Sequence, residues 1–407
     1  MEEKPKIRQI EAMPVNTPQG RIIVLRDPFG FSPALLQISQ HAFYIVTLLD
    51  GTRDIREMQA QFLSQFGQMV YSEHIEELLA QLDSCHFLDN DNFSELKRRT
   101  ISEFIKAPAR PASHAGTAYP ESEAPLRAEL DKLFAENGAP LENVGESENS
   151  LRGLIAPHID LERGAQAYIP GYCELAAKST ASTYVILGTA HTGMKRPYCL
   201  TLKDFETPLG MLANDREMGE ELLGACPWLA DDEFTHRGEH SIEFQALFLQ
   251  YLFGGKRDIS ILPILCGTFR SESSRFTEPA KIPEVEFFIE TLTKIARTRP
   301  GEVCIIAGAD LAHIGTRFGD PQPVNEKQLK YVEDMDRTTL ELVEKCNAEG
   351  FYKNVISDGD RRKICGLPNI YTMLRVLGKG TGRLIKYAQA PDESTGSAVT
   401  FASLIME

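Results

Sequence analysis

EVCIIAGAD, residues 302–310, is a nearly continuous apolar run that ends in a glycine, an alanine and an aspartate. Three runs of the same kind precede it in the chain: GLIAP (153–157), TYVILG (183–188) and ISILPIL (259–265). Short apolar runs without polar alternation are typical of parallel strands that helices cover on both faces. The segments between the runs have the apolar spacing of helices, as in REMGEELLGA (216–225). The sequence therefore predicts an α/β domain with three layers, in which a sheet lies between two layers of helices.

Three of these four runs lead to side chains that can carry chemistry. GLIAP is followed by His158 and Asp160, TYVILGTA by His191, and VCIIAGA by Asp310 and His313. Ligands bind beyond the carboxyl ends of the strands in open α/β sheets, so we expect these side chains to converge on one crevice. A single buried histidine is more often a structural residue with satisfied hydrogen bonds. Three of the nine histidines at strand ends nevertheless favour a site.

The bulk composition limits the classes of function. A chain of 407 residues exceeds the size at which one hydrophobic core keeps growing, so we expect two domains. The net charge of -15 argues against a nucleic-acid partner, because phosphate binding needs a basic surface. No run approaches the roughly 18 apolar residues that cross a bilayer, and MEEKPKIRQIEAMP at the N-terminus lacks the apolar core of a signal peptide. We therefore expect a cytoplasmic protein without a membrane partner.

The N-terminal part of the chain has the pattern of a small separate module. RIIVLRDP (21–28) indicates a strand, and SPALLQISQHAFYIVTLLDG (32–51) has the pattern of an apolar helix. Asp54 has a glutamate three residues later, the spacing of a capping box, and Ser72 is placed to cap a third helix. CHFLDNDNF (85–93) is expected to close the module with a strand and a turn. Three helices with a β element predict a winged-helix arrangement.

The module, residues 1–95, resembles PqqD-like domains through LLDGTRDIREM (48–58) and VYSEHIEELLAQLDSCHFLD (70–89). The resemblance implies a domain that binds a peptide or a radical-enzyme partner through an exposed strand edge. Seven lysines and arginines against 14 aspartates and glutamates in this module argue against DNA, and a docking or dimerisation module without a ligand is the alternative. Residues 96–112, which are basic and then rich in proline and alanine, are expected to form a linker to a domain at 113–407.

Seven segments of the larger domain resemble the signature blocks of the MEMO family and follow the family's order. They are SHAGTAYP (113–120), LIAPHID (154–160), VILGTAH (185–191), EHSIEFQ (239–245), GADLAHIG (308–315), ICG (364–366) and YAQ (387–389). The family's fold is similar to that of class III extradiol dioxygenases, which are non-haem iron enzymes that use two histidines and a carboxylate. The resemblance therefore implies the same three-layer domain, with a metal centre.

The family pattern implies that His158, His191 and Cys365 bind one metal ion. Two imidazoles and a thiolate suit Fe(II), copper or Zn(II). The likeness to the dioxygenases favours Fe2+, whereas the thiolate makes the centre softer and shifts the preference toward copper or zinc. The ordinary alternative for Cys365 is a packed thiol beside a glycine turn.

Three further residues are expected to act beside the ligands. The resemblance places Asp310 and His313 in the same cavity, where His313 would be a general acid or base because imidazole titrates near neutrality. Asp310 would orient one of the histidines or bind the metal directly. His240 and Glu243 lie one helical turn apart, and His240 would contact a ligand rather than the metal, with a purely structural helix cap as the alternative.

These residues favour a metal-dependent redox protein, either a non-haem iron or a copper oxidoreductase of the dioxygenase type. The family pattern implies a radical S-adenosylmethionine enzyme as its partner. The alternatives are a zinc hydrolase with His313 as base, and a non-catalytic protein that binds a metal or a peptide. Thr192, Asp160 and the pair Leu367–Pro368 depart from the family pattern near the site. They leave the small-molecule substrate open.

Overall fold

The computed structural model describes residues 4–18, 20–137, 151–269 and 277–407. The chain divides into two compact units, Met1–Lys106 and Ala107–Glu407. The smaller unit contains an antiparallel sheet in the order β1-β2-β3 and four helices. Its elements are β1 (Glu11–Thr17), β2 (Gly20–Arg26), β3 (Leu35–Ser39), α1 (Gln40–Thr47), α2 (Ile55–Phe66), α3 (Ser72–Ser84) and α4 (Asp91–Lys106). Leu25, Met58, Leu82 and Phe87 are fully buried in its core.

The predicted helix over 32–51 is wrong in its first half. Leu35–Ser39 form strand β3, which pairs with β2, and the helix begins only at Gln40. The Ser39 hydroxyl accepts a hydrogen bond from the Ala42 amide and so caps the helix directly after the strand. The segment is mostly apolar on both sides of this change from a strand to a helix, and so its pattern concealed the change. The capping box of Asp54 and Glu57 is present, whereas Ser72 is the first residue of α3 and not its cap.

The segment expected to be a linker contains regular structure. Helix α4 continues through it to Lys106, and Ala109–Arg110 form a short strand of the larger unit. Phe93 and Phe104 are buried on one side of α4, while the basic residues 97–99 are exposed, so the run of positive charge is the solvent face of an amphipathic helix. The closing strand expected over 85–93 is reduced to an isolated bridge between Leu88 and Ile7.

The larger unit alternates strands and helices. Its elements are β4 (Ala109–Arg110), α5 (Glu123–Asn137), β5 (Gly153–Ala156), α6 (Leu161–Lys178), β6 (Thr183–Thr189), β7 (Tyr198–Leu200), β8 (Asp204–Thr207), β9 (Gly210–Asn214), α7 (Arg216–Ala225), α8 (His240–Phe253), β10 (Ser260–Cys266), α9 (Pro283–Thr298), β11 (Val303–Gly308), β12 (Asp310–Gly315), α10 (Glu326–Glu344), α11 (Ala348–Ile356), α12 (Leu367–Leu377), β13 (Gly382–Asp392) and β14 (Ser397–Met406).

The four apolar runs form neighbouring parallel strands, as predicted. Strand β11 pairs in parallel with β5 and β6, and β6 pairs in parallel with β10. The sheet as a whole is mixed, since β14 runs antiparallel to β5, β12 and β13. Its order is β12-β14-β5-β11-β6-β10-β9-β8-β4. The carboxyl ends of β5, β11 and β6 therefore lie side by side at one edge of the sheet.

Helices cover both faces of this sheet. Tyr184 and Ile186 of β6 pack in one core with helices α5, α6 and α8. Val185 and Leu187, which point to the other face, pack in a second core with α7, α9, α11 and α12. The predicted three-layer α/β/α architecture is confirmed. None of the helices in the described ranges has the length and apolarity needed to cross a bilayer.

Candidate metal centre

His158 follows β5 and is held by two backbone-linked contacts. Its amide donates to a carboxylate oxygen of Asp310 at 3.0 Å, and its Nδ1 lies 2.9 Å from the Gly308 carbonyl oxygen. In the tautomer whose Nδ1–H donates to this carbonyl, Nε2 keeps its lone pair and lies 3.2 Å from the sulfur of Cys365. Burial, together with the nearby His191, lowers the pKa of His158 to about 3, so its ring is neutral at ordinary pH.

His191 follows β6 and is oriented by Glu239. One carboxylate oxygen of Glu239 accepts from the His191 amide at 2.9 Å, and the other lies 3.0 Å from Nδ1 of the ring. Burial opposes protonation, but the Glu239 carboxylate outweighs it and raises the pKa of His191. Since Nδ1 donates to Glu239, Nε2 is the nitrogen left free to bind a ligand. The side chain of His191 is 37% exposed, so it is more accessible than the side chains of His158 and Cys365.

Cys365 lies in the loop before α12 and is placed by the glycine that follows it. The Gly366 amide donates to the Asp310 carbonyl oxygen at 3.1 Å. A Cβ atom at position 366 would lie 2.6 Å from both this oxygen and the Cβ of Ala309, so only glycine permits the approach. Burial and the Asp310 carboxylate raise the pKa of the Cys365 thiol well above its ordinary value. A cation that binds here as a thiolate ligand would therefore displace a proton.

The three predicted ligands meet in one cluster. One ligand atom from each of His158, His191 and Cys365 lies within 4.8 Å of the other two. Bonds of roughly 2.0–2.3 Å to one ion allow ligand atoms about 4.5 Å apart, so small movements suffice. The far nitrogen of each histidine is already held by a hydrogen bond, which is the usual support of a metal-binding imidazole. The predicted proximity is confirmed, and the residues fit a metal ion. Their role as ligands stays a prediction.

Asp310 and His313 begin and continue strand β12, so His313 lies within a strand rather than in a loop. Asp310 is buried, and one of its oxygens lies 3.7 Å from Nε2 of His158. Burial raises the pKa of Asp310 to about 6, although the neighbouring His313 opposes the shift. Burial also disfavours the charged form of His313 and so lowers its pKa. The Nδ1 atom of this ring lies 3.1 Å from the Leu311 carbonyl oxygen. The Asp310 carboxyl therefore changes protonation at mildly acidic pH, whereas burial favours the neutral form of the His313 ring.

Glu239 is the residue of this site that sequence reasoning missed. It is the N-cap of α8, and one of its oxygens also accepts from the Ser241 amide at 3.0 Å and lies 3.2 Å from Nδ1 of His240. The ring of His240 stacks on that of His191, with centroids 4.8 Å apart. His191, Glu239 and His240 also have ligand atoms within 4.8 Å of one another, but these hydrogen bonds account for their proximity. The only signal in the sequence was an acidic residue before an apolar helix.

Glu243, one turn further along α8, is buried among polar partners. It forms an ion pair with Arg110 of β4, accepts from the Tyr119 hydroxyl, and lies 3.0 Å from Nδ1 of His114. The Arg110 guanidinium is the strongest influence that opposes burial, and it lowers the pKa of Glu243 to about 2. His114 in turn lies beside His240, with ring centroids 5.6 Å apart. The block SHAGTAYP thus contacts the helix that orients His191.

Asp160 does not belong to the cluster. Its side chain caps helix α6 by accepting from the Arg163 amide at 3.0 Å. The polar residue after GLIAP that reaches the site is therefore His158 alone.

A cavity of about 300 Å³ lies beside Cys365 at the carboxyl ends of β6 and β10. Its walls are mostly apolar, and Thr268 and Lys363 lie on its more exposed side. It is lined by Thr189, Ala190, Cys266, Gly267, Thr268, Phe269, Tyr352, Asp360, Lys363, Ile364, Cys365, Leu367 and Pro368. Leu367 and Pro368, which depart from the family pattern, therefore shape this cavity.

A family model described as a Memo-like protein matches residues 110–405. The chain belongs to the MEMO family. It is 28% identical to a MEMO1 family protein of Aquifex aeolicus over 406 residues, with 99% of both chains covered. It is also 30% identical over 287 residues to a MEMO1 family protein of Desulfurococcus amylolyticus, which covers 69% of this chain and 92% of that one. It is 29% identical over 301 residues to a MEMO1 family protein of Methanosarcina barkeri, and this match covers 72% of this chain and 98% of that one.

Five of the seven MEMO blocks come from distant parts of the sequence and meet around one cluster. Those at 154–160, 185–191 and 364–366 contribute His158, His191 and Cys365. The blocks at 239–245 and 308–315 hold them through Glu239 and Asp310. The last block, YAQ, contributes no residue to either candidate metal-binding set found among the described residues.

Proposed function

We propose that this MEMO protein binds one redox-active metal ion, Fe2+ or copper, through His158, His191 and Cys365. The observation that carries the proposal is the 3.2 Å approach of His158 Nε2 to the Cys365 sulfur. The thiol can donate a hydrogen bond to the neutral imidazole, and a cation bound to both atoms would take the place of this proton. The two rings donate from Nδ1 to the Gly308 carbonyl and the Glu239 carboxylate, and this supports the proposal because both Nε2 atoms are left for binding.

An ion bound there would supply electron transfer and open coordination positions for a small molecule. The protein's own residues would manage protons. Asp310, with its pKa raised to about 6, can hold a proton at mildly acidic pH and release it at neutral pH. Burial favours the neutral form of His313, in which Nδ1–H is directed to the Leu311 carbonyl oxygen and Nε2 is the proton acceptor. The two residues act as a general acid and base.

The cavity beside Cys365 is the proposed binding place of the substrate. Its volume of about 300 Å³ suits a small organic molecule, and its mostly apolar walls favour an apolar body. At the edge of the cavity, the Lys363 ammonium group forms an ion pair with Asp320. The positive charge of Lys363 is therefore already compensated. We propose a compact molecule of low charge as the substrate.

Metal analysis of anaerobically purified protein tests this proposal. Stoichiometric iron or copper, together with O2 uptake or another redox turnover, is the expected result. Stoichiometric zinc without redox activity would favour the hydrolytic alternative, in which His313 activates water. Absence of any metal from protein that has been offered iron, copper and zinc would favour a binding protein without turnover.

We further propose that the smaller unit binds a radical S-adenosylmethionine enzyme or a peptide. The likeness to PqqD-like domains supports this, and so does the sheet order β1-β2-β3, in which β1 and β3 each pair on one side within the described residues. An unpaired strand edge is the surface that an added strand uses. The test is co-purification of a radical enzyme from the same organism with the full chain and with residues 107–407. Equal recovery with both would contradict docking through the smaller unit.

A further inference from the structure

The YAQ block lies on β13 and belongs to a polar network around the buried Asp336. The Tyr387 hydroxyl lies 3.0 Å from a carboxylate oxygen of Asp336 on α10, and the Gln389 amide donates to the same hydroxyl at 3.0 Å. The same oxygen of Asp336 also accepts from Thr400 of β14 at 2.6 Å. Asp336 is fully buried, so the network fixes a charged group inside the protein.

Asp336 is paired with a buried arginine of the Cys365 loop. Its second oxygen accepts from Arg362 at 2.7 Å, and the side chains of both residues are at most 2% exposed. The guanidinium also donates to the Thr339 hydroxyl at 3.0 Å and to Asn354 at 3.3 Å. Arg362 is thereby attached to both α10 and α11.

Arg362 reaches two residues of the centre through the main chain. Cys365 follows Arg362 by three positions. The carbonyl oxygen of Arg362 accepts a hydrogen bond from the His313 amide at 2.7 Å. The loop has left-handed backbone at two residues other than glycine, Asp360 with φ of 54° and Lys363 with φ of 52°. Such residues persist only where the surroundings impose the conformation. The Arg362 anchor lies between these two positions.

We propose that the Asp336–Arg362 pair, supported by Tyr387, positions the Cys365 thiol for metal binding and His313 for proton transfer. This inference rests on the proposed metal function. Buried ion pairs add little net stability compared with apolar residues of similar volume. A pair whose side chains have four further hydrogen-bonding partners, Thr339, Asn354, Tyr387 and Thr400, is better explained by the geometry that it imposes. Asp336 and Arg362 are positioning residues, since neither belongs to the His158, His191 and Cys365 set.

Cobalt binding by the full chain tests the inference, because a cobalt–thiolate bond gives a charge-transfer absorption that reports on Cys365. Asp336→Asn is expected to weaken Co2+ binding about 10- to 100-fold and to reduce this absorption at saturating Co2+. Asp215→Asn is the matched control. Asp215 also pairs with an arginine, Arg299 at 3.1 Å, but it lies beside the start of β6 at the other end of that strand. The control should lose stability without any change in Co2+ affinity or spectrum.

Unchanged affinity and spectrum in folded Asp336→Asn protein would overturn the inference. If that variant does not fold, Tyr387→Phe takes its place. We expect this variant to bind Co2+ several-fold more weakly, and an unchanged Co2+ affinity would contradict the inference. Absence of the thiolate absorption from the unaltered protein would instead contradict the proposed metal centre. The positioning claim would then be decided in metal-free protein by the alkylation rate of Cys365 with iodoacetamide, measured by mass spectrometry. A faster rate in the variant supports positioning, and an equal rate opposes it.

Discussion

A histidine binds a metal well only when its ring is held in one tautomer and one orientation, and two different groups do this at His158 and His191. A backbone carbonyl, that of Gly308, holds His158, whereas a carboxylate, that of Glu239, holds His191. A carboxylate partner makes an imidazole more basic than a carbonyl does, so His191 is the stronger donor of the two. Burial lowers the pKa of His158, whereas at His191 the Glu239 carboxylate outweighs burial and raises the pKa.

Replacing His158 and His313 separately distinguishes a ligand from an acid or base. His158→Ala removes one of three proposed ligands, so we expect the bound metal to fall sharply in metal analysis. His313→Ala leaves these ligands in place, so the metal should remain while turnover falls roughly 10²- to 10⁴-fold. Loss of metal from both variants would make His313 a ligand. Retention in both would remove His158 from the metal set.

The residues of the site differ in how far the sequence could predict them. His158, His191 and Asp310 follow apolar strands, and the parallel order of those strands places them together, so local pattern was sufficient. Cys365 was predicted only from the family resemblance, because its loop has no periodic pattern. Glu239 was missed because its contact with His191 spans 48 residues and depends on how α8 packs against β6.

Helix α8 is anchored to its surroundings by the buried ion pair between Glu243 and Arg110. We expect Glu243→Gln to lower the free energy of unfolding by about 3–5 kcal/mol, because Arg110 would remain buried without its charged partner. Denaturant unfolding measures the difference. Glu217→Gln is the control, since the side chain of Glu217 is 90% exposed and its replacement should change the free energy by less than about 0.5 kcal/mol. Equal small effects in both variants would contradict this anchoring role.

The difference between the unaltered protein and Glu243→Gln should also depend on pH. The Arg110 guanidinium lowers the pKa of Glu243 from 4.5 to about 2, against the effect of burial. A carboxylate with a lowered pKa stabilises the folded protein above its unfolded pKa, and this contribution is lost as the pH falls through the folded value. The stability difference should therefore be constant above about pH 5 and shrink between about pH 4.5 and pH 2. A difference that grows in this range would contradict the assignment.

Secondary structure was predictable where one period persists along a segment. The four apolar runs are strands because each is short and buried on both faces, and α2 begins where its capping box does. Residues 32–51 change from a strand to a helix within one mostly apolar segment. The composition of this segment does not mark the change, and it favoured a single helix. The charges of residues 96–106 favoured a linker. The buried phenylalanines of α4, Phe93 and Phe104, show instead that these charges are the exposed face of an amphipathic helix.

At the scale of the whole molecule, the smaller unit has its own hydrophobic core, made of residues from Ile23 to Leu88. We expect residues 1–106 expressed alone to fold and to give a dispersed NMR spectrum. A collapsed spectrum for residues 1–106 would mean that the unit depends on the rest of the chain.

The central claim is that two histidines and one cysteine share a single metal ion, and X-ray absorption of the zinc-loaded protein tests it most directly. The account predicts one sulfur at about 2.3 Å and two imidazole nitrogens at about 2.0–2.1 Å from the metal. Cys365→Ser protein should lose the sulfur contribution and keep the nitrogens. A spectrum of the unaltered protein with only nitrogen and oxygen neighbours, or one without imidazole scattering, would contradict the claim.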